Sequence, residues 1–176
     1  CKVSGELLSD YYFTKFGVDT RSVRFPGIIS NGAMPGGGTT DYAVEVFYKA
    51  VKEGRFTCEV PKDAYMDMIY MPDALESTTQ LMEADPTKLK HRNSFNIASM
   101  SFTPEQLFTA IKKRIPEFTW DYNVDPVKAA IAASWPDIMD DSAAREEWGW
   151  NPKWGLDEMI DDMLAACRRK LANGEY

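Results

Sequence analysis

The chain has 176 residues, a formal net charge of -7 and a hydrophobic fraction of 44%. This length and composition are typical of one ordinary globular domain with a real core. The acidic balance argues against a nucleic-acid partner, because phosphate binding needs a basic surface. No apolar run approaches the roughly 20 residues that cross a bilayer, so we expect no membrane partner.

Cysteine and histidine usage excludes several kinds of site. Cys1, Cys58 and Cys167 are widely spaced and indicate neither a disulfide framework nor a zinc site. Cys167 falls on the apolar stripe of a helix, which favours a core thiol. His91 is the only histidine and is predicted to lie in a loop, so a Ser-His-Asp triad or a multi-histidine metal site is poorly supported. We expect no metal.

The elements predicted in chain order alternate between helix and strand. Apolar spacing and helix-end residues predict helices at 2–16, 41–53, 72–82, 103–115, 126–133 and 155–171. Asp141 or Ser142 is predicted to cap a further short helix that runs into "WGWNP". Runs of β-branched and aromatic residues predict strands at 18–25, 56–60, 65–71, 94–99 and 117–124. Residues 26–40 are predicted to form a glycine-rich loop, and loops this long are often functional. The alternation predicts an α/β fold with helices covering a sheet.

Several residues are typical of helix ends. Gly17 is suited to a left-handed C-terminal cap of the first helix. Thr103 and Gln106 form a capping-box pattern around Pro104, which suits a first helical position. Asp73 is predicted to cap its own helix.

The first 27 residues resemble a known superfamily. The run "KVSGELL" followed by "FGVDTRSVRFPG" resembles the extended short-chain dehydrogenase/reductases. In these enzymes a Tyr-x-x-x-Lys pair lies on a helix, before a strand that ends in an Arg-x-Pro-Gly type of turn. Lys2 matches the lysine, and the tyrosine would precede Cys1. The resemblance implies the C-terminal part of an NAD-binding, Rossmann-type enzyme whose catalytic tyrosine and nucleotide-binding turn lie upstream.

Further blocks narrow the resemblance over nearly the whole chain. "PGGGTTDYAVEVFYKAV", "YMPDAL", "SFTPEQL", "SWP" and "DDSAAREEWGWNP" resemble the short-chain type of L-threonine 3-dehydrogenase. "GGGTTDYA" is the most specific block, whereas many sugar-nucleotide epimerases and dehydratases share the last one. The implied division places the last helix and strand of the Rossmann domain at 1–30. Residues 31–176 would form mainly a smaller substrate-binding α/β lobe, with some elements returning to the Rossmann sheet.

The implied reaction oxidises the C3 hydroxyl of L-threonine and passes hydride to NAD. Lys2 would favour the phenolate form of the tyrosine and would bind the nicotinamide ribose. Pro26, Gly27 and Ile28 would form the turn beneath the nicotinamide, with Ile28 touching the cofactor. Ligands of α/β sheets gather at the carboxyl ends of strands, which agrees with this placement.

The substrate would lie near the glycine-rich loop. Thr39 and Thr40 precede a helix start, where hydroxyls and exposed amides suit a carboxylate, although either threonine could simply cap the helix. Asp41 could meet the substrate ammonium, but stabilisation of the helix dipole is the better interpretation. Trp135, in "SWP", is either a lid over the substrate or a core residue.

Two alternatives stay open. A nucleotide-sugar epimerase or dehydratase of the same superfamily must hold a diphosphate, yet the 30–60 region offers only Lys49, Lys52 and Arg55. A non-catalytic substrate-binding fragment is the other alternative, and we expect the isolated chain to be inactive.

Assembly and compartment are implied only by the resemblance. It implies a homodimer with the helix of Lys2 at the interface. Leu7, Leu8 and Tyr11 suit such an interface and a core equally well. The compartment would be cytoplasmic in a bacterium and mitochondrial in a eukaryote, with any targeting signal unreadable.

Overall fold

The computed structural model describes residues 1–175, and seven helices alternate with seven short strands in that range. The helices are α1 (Lys2–Phe16), α2 (Tyr42–Glu53), α3 (Met71–Glu83), α4 (Pro104–Lys112), α5 (Pro126–Ala133), α6 (Ser142–Trp148) and α7 (Leu156–Ala172). The strands are β1 (Val23–Arg24), β2 (Gly27–Ile29), β3 (Arg55–Cys58), β4 (Met66–Tyr70), β5 (Phe95–Asn96), β6 (Met100–Phe102) and β7 (Thr119–Tyr122). The α/β class and all seven predicted helices are confirmed.

The strand predictions were less accurate than the helix predictions. The strand predicted at 18–25 contains only β1, and the loop predicted at 26–40 contains β2. Gly27 and Ile28 therefore lie in a strand, and the prediction of a turn there was wrong. Strand β6 was not predicted. Strands this short are decided by pairing with partners far along the chain, which local sequence does not reveal.

Strand β4 is the centre of the main sheet. It pairs in parallel with β2 and antiparallel with β6, with Gly27 opposite Met68 and Met66 opposite Phe102. All five residues of β4 are buried, as expected for a strand covered on both faces. Two further parallel pairs, β1 with β5 and β3 with β7, form separate two-stranded sheets.

Two apolar clusters form the core. In the larger one, α2, α4 and α7 cover β4 and its neighbours, with Phe47, Phe108 and Met163 fully buried. Cys167 is buried here too, which confirms the core thiol. In the smaller cluster Trp150 packs against residues of α3, β5 and α6, and its ring N–H donates to the carbonyl of Ala98 at 3.0 Å.

Polar side chains fix the ends of several elements. The capping box of α4 is confirmed, because Thr103 accepts from the Gln106 amide at 3.2 Å and donates its own amide to Gln106 at 2.9 Å. Asp73 does not cap α3, so that prediction was wrong. Its buried carboxylate instead accepts the amides of Lys153 and Trp154 at 3.1 Å, which ties α3 to the segment before α7.

His91 lies in a loop, as predicted, but it is not free. Its ring contacts the buried carboxylate of Glu147, which also accepts the amides of Lys90 and His91 at 2.7 and 2.9 Å. This contact fixes α6 against the loop before β5. Among residues 1–175, the structure contains no helix of the length and apolar character required to traverse a bilayer.

Candidate functional site

A cavity of about 320 Å³ lies where three distant segments of the chain meet. Its lining comprises Phe25, Pro26, Gly27, Thr40, Met66, Asp67, Trp135, Pro136 and Met139. The cavity follows the carboxyl end of β1 and lies at the amino ends of β2 and β4. Pro26, Thr40 and Trp135, three of the residues predicted from the sequence, line it together.

Close packing between Gly27 and Thr40 shapes one wall of the cavity. A Cβ atom on Gly27 would lie 2.9 Å from the Thr40 methyl carbon and 2.4 Å from the Met68 sulfur. Only glycine lets β2 approach the end of the loop this closely. The N-cap of α2 is Asp41 and has no side-chain capping bond, so the structure does not show a threonine capping this helix.

Asp41 shapes the loop before α2. Its carboxylate accepts the amides of Gly37 and Gly38, both at 2.7 Å. Gly37 has a φ of 98°, a backbone conformation that favours glycine. The Asp41 carboxylate thus lies against the loop amides and outside the lining of the 320 Å³ cavity. Thr39 faces a neighbouring cavity of about 120 Å³, so it is separated from Thr40.

A side chain of α7 contacts the main chain of the glycine-rich loop just after β2. The carbonyl of Asn31 accepts from Lys170 and from the Tyr48 hydroxyl, the latter at 3.2 Å. Tyr70, at the end of β4, donates its hydroxyl to Asp162 at 2.5 Å and accepts from Asn31 at 3.2 Å. Burial, followed by the Asp162 carboxylate, raises the pKa of Tyr70, so the hydroxyl keeps its proton and remains a donor.

The residues predicted to contact the cofactor, Lys2, Pro26 and Ile28, do not all lie at one cavity. Pro26 lines the 320 Å³ cavity, whereas Ile28 points to the other face of β2, where it is 39% exposed beside an open cavity of about 380 Å³. Lys2 is exposed at the start of α1. Its side chain forms no hydrogen bond or ion pair within the described range.

Helix α1 lies on the outside of the chain and buries none of its residues. Arg24 holds it through a two-bond contact with Glu6 at 2.5 and 2.7 Å, and this contact lowers the pKa of Glu6. Leu7, Leu8 and Tyr11 are exposed, so they do not form part of the core of residues 1–175. Their place in a dimer interface remains a prediction.

Trp135 lines the cavity from a segment that polar contacts hold in place. The side chain is 42% exposed, so the core interpretation was wrong and the lid interpretation agrees with its position. The Met139 amide donates to Asp67, and Asn96 donates to the carbonyl of Asp140 at 3.0 Å.

Sequence reasoning missed Asp67. This residue is 7% exposed, accepts from the Ser101 hydroxyl and the Met139 amide, and lines the cavity. The available signal was a single acid inside the apolar run "YMDMIYM". No set of three or more His, Cys, Asp or Glu side chains within 1–175 is arranged to hold a metal ion.

Solved structures support the fold. The chain superposes with a TM-score of 0.93 on the L-threonine dehydrogenases of Phytophthora infestans (50% identity) and Clostridium difficile (54% identity). It aligns over 96% of its own length with each, and over 54% and 53% of those chains. A nucleoside-diphosphate-sugar epimerase from Agrobacterium tumefaciens, at 17% identity and a TM-score of 0.78, shares the fold. The match covers 90% of this chain and 47% of that one.

Curated relatives agree at the level of the superfamily. An uncharacterized epimerase/dehydratase from Staphylococcus haemolyticus is 58% identical over 172 residues, which are 98% of this chain and 54% of the relative. A Staphylococcus aureus relative of the same description is 56% identical over 96% of this chain and 53% of its own length. The chain thus spans about half the length of these relatives. No protein-family model matches it.

These findings define the class of protein. The chain has the Rossmann-like α/β fold of the epimerase-like short-chain dehydrogenase/reductases, and the comparisons support that superfamily. Within the superfamily, its structural neighbours at 50% identity and above include L-threonine dehydrogenases.

Proposed function

We propose that the protein carrying this chain is an NAD-dependent L-threonine 3-dehydrogenase. It would convert L-threonine and NAD to 2-amino-3-oxobutanoate and NADH. The observation that carries the proposal is the meeting of Pro26, Thr40 and Trp135, from three separate segments, in one cavity. The dehydrogenase structures at 50% and 54% identity support the same activity.

The size and chemistry of the cavity suit a small amino acid. Its volume of about 320 Å³ lies at the small end of the range for ligand sites. Thr40 offers a hydroxyl beside the start of α2, where amides and the helix dipole favour a carboxylate. Trp135 and Pro136 add apolar surface to the lining, and a lid of this kind would exclude water from the reacting atoms when it closes over a substrate. Thr39 faces a different cavity, so we assign the carboxylate to Thr40 alone.

The chemistry of two cofactor-side residues suits NAD. Ile28 is a 39% exposed apolar side chain on β2 beside the cavity of about 380 Å³, and the Lys2 ammonium forms no ion pair within residues 1–175. Lys2 would bind the nicotinamide ribose and would lower the pKa of a neighbouring phenol by favouring its charged form. When bound, NAD supplies the hydride acceptor. The division at residue 30 and the homodimer remain predictions.

A second candidate is a nucleotide-sugar epimerase or dehydratase, because the curated relatives carry that general description. The cavity disfavours it. Its lining contains no lysine or arginine to hold a diphosphate, and its one charged residue, Asp67, would repel that group.

The test is an assay of the complete gene product with NAD. We expect NADH to form with L-threonine and not with a UDP-sugar, and Thr40→Ala to raise the KM for L-threonine by about 10-fold or more, as for a lost charge-assisted hydrogen bond. Thr109→Ala, on the exposed face of α4, is the matched control. Turnover of the UDP-sugar without oxidation of threonine would contradict the proposal.

A further inference from the structure

The carboxylate of Asp67 lacks a positive partner. It lies on the central strand β4 and is 7% exposed. Both recorded contacts are hydrogen bonds from neutral groups, the Ser101 hydroxyl and the Met139 amide. Within the range 1–175, no lysine or arginine forms an ion pair with it. Burying a charge without a counter-charge is costly, so an unpaired carboxylate of this kind points to a cation supplied from outside.

The position of Asp67 shows from which side a cation can come. The residue lines the 320 Å³ cavity and is the only charged residue that does so among the residues the structure describes. A carboxylate has about four acceptor positions, and the two hydrogen bonds leave others open. A cationic group that enters the cavity would therefore meet a carboxylate that is itself 7% exposed, and charge pairing with a buried group is stronger than at the surface.

We propose that Asp67 binds the ammonium group of an amino-acid substrate and is the residue that selects amino acids over other hydroxy acids. The inference rests on the proposed function for the position of the substrate, with the carboxylate at Thr40 and the ammonium at Asp67. Asp41 does not line this cavity, because its carboxylate lies against the amides of Gly37 and Gly38, so it is excluded from this role.

The same carboxylate also holds the lid through the amide of Met139, so a test must separate charge from position. Asp67→Asn does this. The asparagine oxygen can still accept from Met139 and its amide can donate to the Ser101 hydroxyl, so both contacts survive while the charge is lost. Ser101→Ala is the opposite control, since it removes one contact and keeps the charge.

The experiment uses the complete gene product and two ligands that differ only in the ammonium group. The KM for L-threonine and the inhibition constant of (R)-3-hydroxybutanoate are measured in the wild type, Asp67→Asn and Ser101→Ala. Calorimetric binding of both ligands provides a readout that does not need turnover. We expect Asp67→Asn to weaken the binding of L-threonine by about 10- to 100-fold, the range for a charge-assisted hydrogen bond. Binding of (R)-3-hydroxybutanoate should not weaken, and Ser101→Ala should keep the preference for threonine.

Each result decides the inference. If Asp67→Asn weakened the binding of both ligands equally, Asp67 would act only through the lid. If threonine binding were unchanged, Asp67 would have no role in recognising the ammonium group. Either result would overturn the inference without affecting the proposed activity of the wild type. A wild type that binds threonine through Asp67 without oxidising it would support the inference and remove the proposed function. A wild type that neither binds nor oxidises threonine would overturn both.

Discussion

Replacing Gly27 by alanine tests the packing that forms the cavity wall. The added Cβ would lie 2.4 Å from the Met68 sulfur, about 1 Å inside the 3.4 Å at which ordinary contact begins, and 2.9 Å from the Thr40 methyl carbon. Met68 is fully buried but has a flexible side chain that can adjust. Thr40 is β-branched and stiff, so the backbone beneath it must move.

Overpacking of this kind costs about 1–3 kcal/mol. At about 2–4 °C per kcal/mol for a protein of this size, we expect Gly27→Ala to lower Tm by about 2–12 °C. The displaced Thr40 should also raise the KM for L-threonine. Thermal unfolding and steady-state kinetics measure the two effects.

Gly5→Ala is the matched control. Nothing lies within 4 Å of a Cβ built on Gly5, which is exposed near the start of α1. Alanine there should stabilise the protein by about 0.5–1 kcal/mol, because glycine loses more backbone freedom in a helix. If Gly27→Ala matched the wild type in both Tm and KM, the packing argument for the cavity wall would be refuted.

Three further predictions concern stability. Thr103→Ala removes the capping box of α4 and should lower the free energy of unfolding by about 1 kcal/mol in chemical denaturation. The control Thr109→Ala, on the exposed face of α4, should be neutral or stabilising. Equal effects of the two variants would show that the cap does not stabilise the helix. Burial alone would raise the pKa of Glu147, but hydrogen bonds from the main chain and ring of His91 have the larger combined effect. The pKa of Glu147 in the folded state is therefore below its ordinary value. Glu147→Gln should therefore lose about 1–3 kcal/mol at pH 7. The difference in unfolding free energy from the wild type should shrink as pH falls below the ordinary glutamate pKa of 4.5, and a constant difference would argue against this linkage. Asp73→Ala leaves the amides of Lys153 and Trp154 without their acceptor and should cost about 1–3 kcal/mol, read as a lower urea midpoint. An unchanged midpoint would show that these amides find another acceptor.

The helices could be predicted from the sequence because their signals are local. Thr103, Pro104 and Gln106 specify the start of α4 within four residues, and the structure shows both bonds of the capping box. Spacing of three and four residues predicted the buried face of α7, including Cys167. These signals depend only on neighbours along the chain.

The strands and the site depended on distant contacts. Strand β2 has three residues and exists because Gly27 pairs with Met68, 41 positions later. Thr39 and Thr40 are equivalent in sequence, yet the fold turns them into different cavities. Sequence resemblance nominated Thr40 and Trp135, but it did not indicate Asp67.

The sequence by itself determined the helices, the capping box of α4 and the superfamily resemblance, since each depends on a short stretch of residues. Only the tertiary structure decided which side chains share a cavity and which buried charges have partners. Asp41 and Asp67 illustrate the reason. Asp41 follows a glycine-rich run, and its carboxylate accepts hydrogen bonds from amides of its own loop. Asp67 lies in an apolar run and lines the cavity, where it is held by Ser101 and Met139, 34 and 72 positions later in the chain.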